Sequence, residues 1–114
     1  MKKLINSGML ALLTLSMACA SLETNSYKII GATAVTVDAA MNGWGDFVRS
    51  GKASSEDQNV VRSAYEKYQK AMTTSKVAIT TYQVSKDKTS LNLALDILDA
   101  TKNDLIDAIQ KGKL

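Results

Sequence analysis

The sequence predicts an all-α protein, an antiparallel up-down-up three-helix bundle that follows a cleaved signal peptide. Three observations carry that expectation. Apolar side chains recur in alternating steps of three and four along three separate segments, which is the period of a helix with one buried face. The segments are separated by short polar links that carry helix stop and start signals. The 114 residues include no Pro, so no helix interior is interrupted. A chain of this length builds one small domain around one core, and three helices joined by short links satisfy that core by folding back on one another.

The first 20 residues differ in kind from the rest. Lys2 and Lys3 form a basic start, Met9-Leu10-Ala11-Leu12-Leu13-Thr14-Leu15 an apolar run, and small residues follow. That order is the tripartite pattern of a secretory leader. The run is shorter than the roughly 20 residues a transmembrane helix needs, and Asn6-Ser7-Gly8 breaks its start.

The single Cys stands where such a leader is cut. Leu15-Ser16-Met17-Ala18-Cys19 resembles the lipobox of bacterial and phage-encoded prolipoproteins. It departs from the commonest pattern in that Leu15 lies one position further from the Cys and Ser16 takes its place. The resemblance covers these five residues and the leader. It implies cleavage after Ala18 and a diacylglyceryl thioether on Cys19, whose chains would anchor the protein stably in lipid. Ala20-Ser21 lacks the Asp that retains such proteins in an inner membrane, so in a two-membrane cell the resemblance implies the periplasmic face of the outer membrane. Ala18 and Ala20 also fit an A-x-A site, which would release a soluble periplasmic or secreted chain after Ala20 and discard Cys19.

Residues 1–18 are thus expected to be the signal peptide, 19–26 the acylated Cys and a polar tether, and 27–114 the bundle. The tether, Ala20 to Ser26, would reach only about 25 Å when extended. Asn25 or Ser26 is the expected N-cap of a first helix over about 27–50, whose stripe is Ile30, Ala34, Val37, Met41, Trp44 and Val48. Gly51 suits the C-cap. Ser55 with Gln58 resembles a capping box opening a second helix over about 55–84. Its stripe is Val61, Tyr65, Tyr68, Met72, Ser75, Ile79 and Tyr82. Thr89 or Ser90 is the expected cap of a third helix over about 90–111, with Leu91, Leu95, Leu98, Leu105 and Ile109 inward and Lys111-Gly112-Lys113 as its stop. Residues 29–37 and 77–82 are rich in β-branched side chains and could pair as strands. Each, however, continues a stripe that begins outside it, which favours helix.

Composition excludes several chemistries. One Cys forms no internal disulfide, and without His the usual zinc sites and Ser-His or Cys-His pairs cannot be assembled. No cofactor and no metal site are expected, and no nucleophile-base-orienter constellation is visible, so the chain reads as non-enzymatic. Ser85-Lys86-Asp87-Lys88 matches S-x-x-K, but no S-D-N follows and Lys88-Thr89-Ser90 is not K-T-G, so it reads as an interhelical loop. Lys2 and Lys3 belong to the leader, which reduces the net charge from +3 to +1 and removes the case for nucleic acid.

Three features invite a functional reading. Gly43-Trp44-Gly45 places two glycines inside a helix at a cost of about 1 kcal/mol each. Trp44 either anchors an unknown envelope partner or fills the core, and its place on the stripe favours the core. Tyr65, Tyr68 and Tyr82 share a stripe, where rings are expected to be buried and hydroxyls wet. Asp96, Asp99, Asn103 and Asp107, with Asp104 beside them, form an acidic stripe expected to be solvated, because a helix face lacks the wrapping loop of a calcium site. Residues 49–88 carry eight bases against four acids, a polarity that suits anionic lipid or self-association. The expected role is that of a small envelope lipoprotein, an accessory or inhibitor acting through protein contacts, with a soluble secreted binding domain as the alternative.

Overall fold

The computed structural model describes the backbone from residue 2 and side chains from residue 22. Among the described residues it contains three helices, α1 (Lys2–Arg49), α2 (Ser55–Ser85) and α3 (Lys88–Gly112). Contacts at both ends fix their directions. Gly112, at the end of α3, lies against Trp44 near the end of α1 and against Asp57 at the start of α2. At the other end, Gln83 of α2 donates to the Glu23 carboxylate and to the Tyr27 hydroxyl of α1. α1 and α3 therefore run parallel, with α2 antiparallel to both: the up-down-up bundle.

One core runs the length of the bundle. Ile30, Val37 and Trp44 enter it from α1, Val61, Tyr68, Ile79 and Tyr82 from α2, and Leu91, Leu98, Leu105 and Ile109 from α3. The β-branched runs are helical, and burial explains why. Val37 is 1% exposed and Val35 70%, whereas a strand would put both on one face. Thr36, Thr73 and Thr80 return their hydroxyls to the carbonyls of Ala32, Gln69 and Lys76 one turn back.

The ends differ from the sequence expectation in three places. Neither Asn25 nor Ser26 caps α1, and residues 22–26 are helix rather than tether. Leu22 packs against the core, and Ser26 is fully buried and donates to the Leu22 carbonyl at 2.6 Å. The inward stripe simply continues backward through Ser26 to Leu22. At α2, the cap is Ser54 rather than Ser55. Its hydroxyl accepts from the Asp57 amide at 3.0 Å, while Gln58 donates to the Ala53 carbonyl. At α3 the cap is Asp87, not Thr89 or Ser90. A carboxylate can serve both orphan amides there, and Asp87 accepts from Thr89 and Ser90. Lys86 turns the chain before it at φ 59, while Gly51 supplies the positive φ after α1.

Ser75 and Lys102 also sit on the inward stripes, for different reasons. The fully buried Ser75 hydroxyl donates 3.2 Å to the Ala94 carbonyl, tying α2 to α3. Lys102 occupies the register between Leu98 and Leu105. Its side chain is only 23% exposed, and its ammonium reaches Asp99 at 2.8 Å.

Candidate functional surfaces

Cys19 and the two cleavage positions, Ala18 and Ala20, lie outside the residues whose side chains are described. What the structure adds is their distance from packed structure. Leu22, which contacts the core, follows Cys19 by three residues. The end of the bundle nearest Cys19 is the one where Gln83 meets Glu23, and it carries the α2–α3 link with Lys86 and Lys88.

Trp44 is in the core at 5% exposure, so its ring is not offered as a surface anchor. It stacks on Phe47 with centroids 5.6 Å apart. The glycines that flank it do not make its room. A Cβ on Gly43 would meet the Lys113 ammonium at 3.3 Å, and one on Gly45 the Arg49 guanidinium at 3.3 Å. Both are the ends of flexible side chains. The residue that admits the indole is Gly112, where a Cβ would stand 2.8 Å from the ring.

The tyrosines follow the core expectation. Tyr68 and Tyr82 are buried, Tyr65 is half-buried and stacks on Tyr68 at 6.0 Å, and Lys86 lies 5.4 Å from the Tyr82 ring centre. Burial, with Asp38 and Tyr65 adding to it, pushes the Tyr68 phenol above its usual value. Two of the α3 acids, Asp99 and Asp107, are engaged along their own helix. Asp99 holds Lys102 and accepts from Asn103, and Asp107 holds Lys111 at 2.9 Å, which raises the pKa of that ammonium. Among the described residues no group of acids and thiols is placed to hold a metal ion. Ser85 and Lys88 flank the α2–α3 link, with the Ser85 hydroxyl accepting from the Asp87 amide, as expected of a loop.

The clearest surface feature lies off the inward stripes. Between α2 and α3, on the side away from Trp44, an open groove of about 600 Å³ is lined by Val60, Ala64 and Lys67 on one wall and by Thr101, Asp104 and Ala108 on the other. Its signal in the sequence is a heptad of small residues. Ala64, Ala71 and Ala78 recur on α2, and Ala94, Thr101 and Ala108 on α3. They lie one position before the inward stripe and let the two helices approach on that side.

No protein-family model, curated protein or solved structure matches this chain. Among the described residues no helix is long and apolar enough to cross a membrane.

Proposed function

We propose that this protein is a small lipid-anchored envelope lipoprotein, held by an acylated Cys19 and acting through protein contacts rather than catalysis. The observation that carries the reading is the position of the only Cys in the chain, at the end of a leader and directly after Ala18. A thiol there has one evident use, and the mature chain begins with it. Two or more acyl chains, each CH₂ contributing about 0.8 kcal/mol, make such attachment stable.

The fold supports a specific posture on the membrane. Only three residues lead from Cys19 to Leu22, a reach of about 10 Å at most. The anchored end of the bundle therefore rests close to the headgroups, where Lys86 and Lys88 face anionic lipid. The opposite end, with Trp44 and Gly112, points away. Contacts with an envelope partner are made by the sides and far end of the bundle.

Labelled palmitate tests the reading. The full chain expressed in a bacterial host takes up label and fractionates with membranes, and Cys19→Ser abolishes both. Unlabelled protein in the soluble fraction would support the secreted alternative, a binding domain cut after Ala20.

A further inference from the structure

Among the described residues, one face of the α2–α3 hairpin has no helix over it. α1 covers the other face, and the open one is the groove floored by Ala64, Thr101 and Ala108. Val60 and Ile97 stand beside it 52% and 48% exposed, and Leu93 extends the apolar surface along α3. Large apolar side chains at the edge of an unfilled groove are a docking surface.

The charges select what docks there. Ser75 bonds to Ala94 and Asp57 lies beside Gly112, which sets the level of every residue on α2 against α3. In that register Lys67 stands opposite Asp104, and Glu56 opposite Lys111, each within about 3 Å along the axis at 1.5 Å per residue. Each rung has a base on one wall and an acid on the other, and the sense reverses between the two rungs. Yet among the described residues Lys67, Asp104 and Glu56 form no ion pair, and Lys111 pairs only with its helical neighbour Asp107. The matching surface is the groove itself turned over. A two-fold axis parallel to the helices lays α2 on the α3 of a second copy, so Lys67 faces Asp104 and Glu56 faces Lys111. An axis across the helices, midway between the two rungs, would lay α2 on α2 and set Lys67 over Glu56 of the other copy, but it carries Ile97 past the end of that copy's α3 and leaves it uncovered.

We propose that the open α2–α3 face docks a second copy of this chain, in a two-fold dimer that buries Val60 and Ile97 and pairs Lys67 of each copy with Asp104 of the other. The contact is isologous, so each pair occurs twice. It does not depend on Cys19, and failure of the anchor leaves it standing.

Sedimentation of the full chain, purified in mild detergent, tests it. The wild type is expected to be dimeric. Lys67→Glu alone and Asp104→Lys alone each weaken association at least about tenfold through two like-charge contacts. Mixing the two variants restores a heterodimer, because one copy then presents acids at both positions and the other presents bases at both. The double variant, Lys67→Glu with Asp104→Lys, dimerises by itself, which an α2-on-α2 arrangement does not allow. Circular dichroism checks that every variant stays helical. A monomeric wild type overturns the proposal and leaves the groove to a different protein. Dimers indifferent to either reversal, or variants that fail to complement on mixing, also overturn it.

Discussion

The indole of Trp44 rests on the backbone of Gly112, at a distance that no side chain larger than hydrogen permits. This contact joins the far ends of α1 and α3 and closes the core at that end. Gly112→Ala is expected to destabilise the fold by about 1–3 kcal/mol through overpacking. Trp44→Phe should relieve most of that penalty in the double variant, so the two changes are non-additive in urea unfolding. Additive losses would mean that the ring does not depend on Gly112.

Ser26 tests where the bundle begins. It is fully buried in α1, while its neighbour Asn25 is exposed. Ser26→Asp should cost about 3 kcal/mol or more for an unpaired buried charge, and Asn25→Asp almost nothing. Equal thermal stability of the two variants would return residues 22–26 to a tether.

Ser75 ties α2 to α3 through the Ala94 carbonyl. Ser75→Ala leaves that acceptor without its hydroxyl partner and should lower stability by about 1 kcal/mol. A shift in the urea midpoint at unchanged slope is the expected signature.

Tyr68 gives the fold an alkaline limit. Burial raises its pKa first, and Asp38 and Tyr65 raise it further. Below about pH 10 the phenol is protonated in both states and the shift has no effect on stability. Above it the unfolded chain loses a proton that the folded chain retains, so stability falls as pH rises. Urea midpoints measured from pH 8 to 11 should fall more gently for Tyr68→Phe than for wild type. Parallel curves would contradict the assignment.

Much of this architecture is legible in the sequence because a helix buries side chains at fixed intervals. The stripes through Val37, Ile79 and Leu98 name residues that are fully buried in the core. The caps are less legible, since Ser54 and Ser55 both suit a cap on residue type alone. Asp87 is masked by the hydroxyls of Thr89 and Ser90, although a carboxylate serves two amides where each of them serves one. The role of Gly112 lies beyond local pattern altogether. Locally it is a helix stop, and only the parallel course of α1 and α3 brings Trp44, 68 residues earlier, onto it. The groove is hidden for a related reason. Ala64, Ala71 and Ala78 have the heptad spacing of a packed face, but their significance depends on which side α1 leaves open.

The central claim is that Cys19 is the first residue of the mature protein and carries lipid. Intact-mass spectrometry of the protein isolated from membranes measures this directly. The mass is expected to correspond to a chain beginning at Cys19 plus a diacylglyceryl group, with or without a third acyl chain. A mass corresponding to an unmodified chain beginning at Ser21 would contradict it.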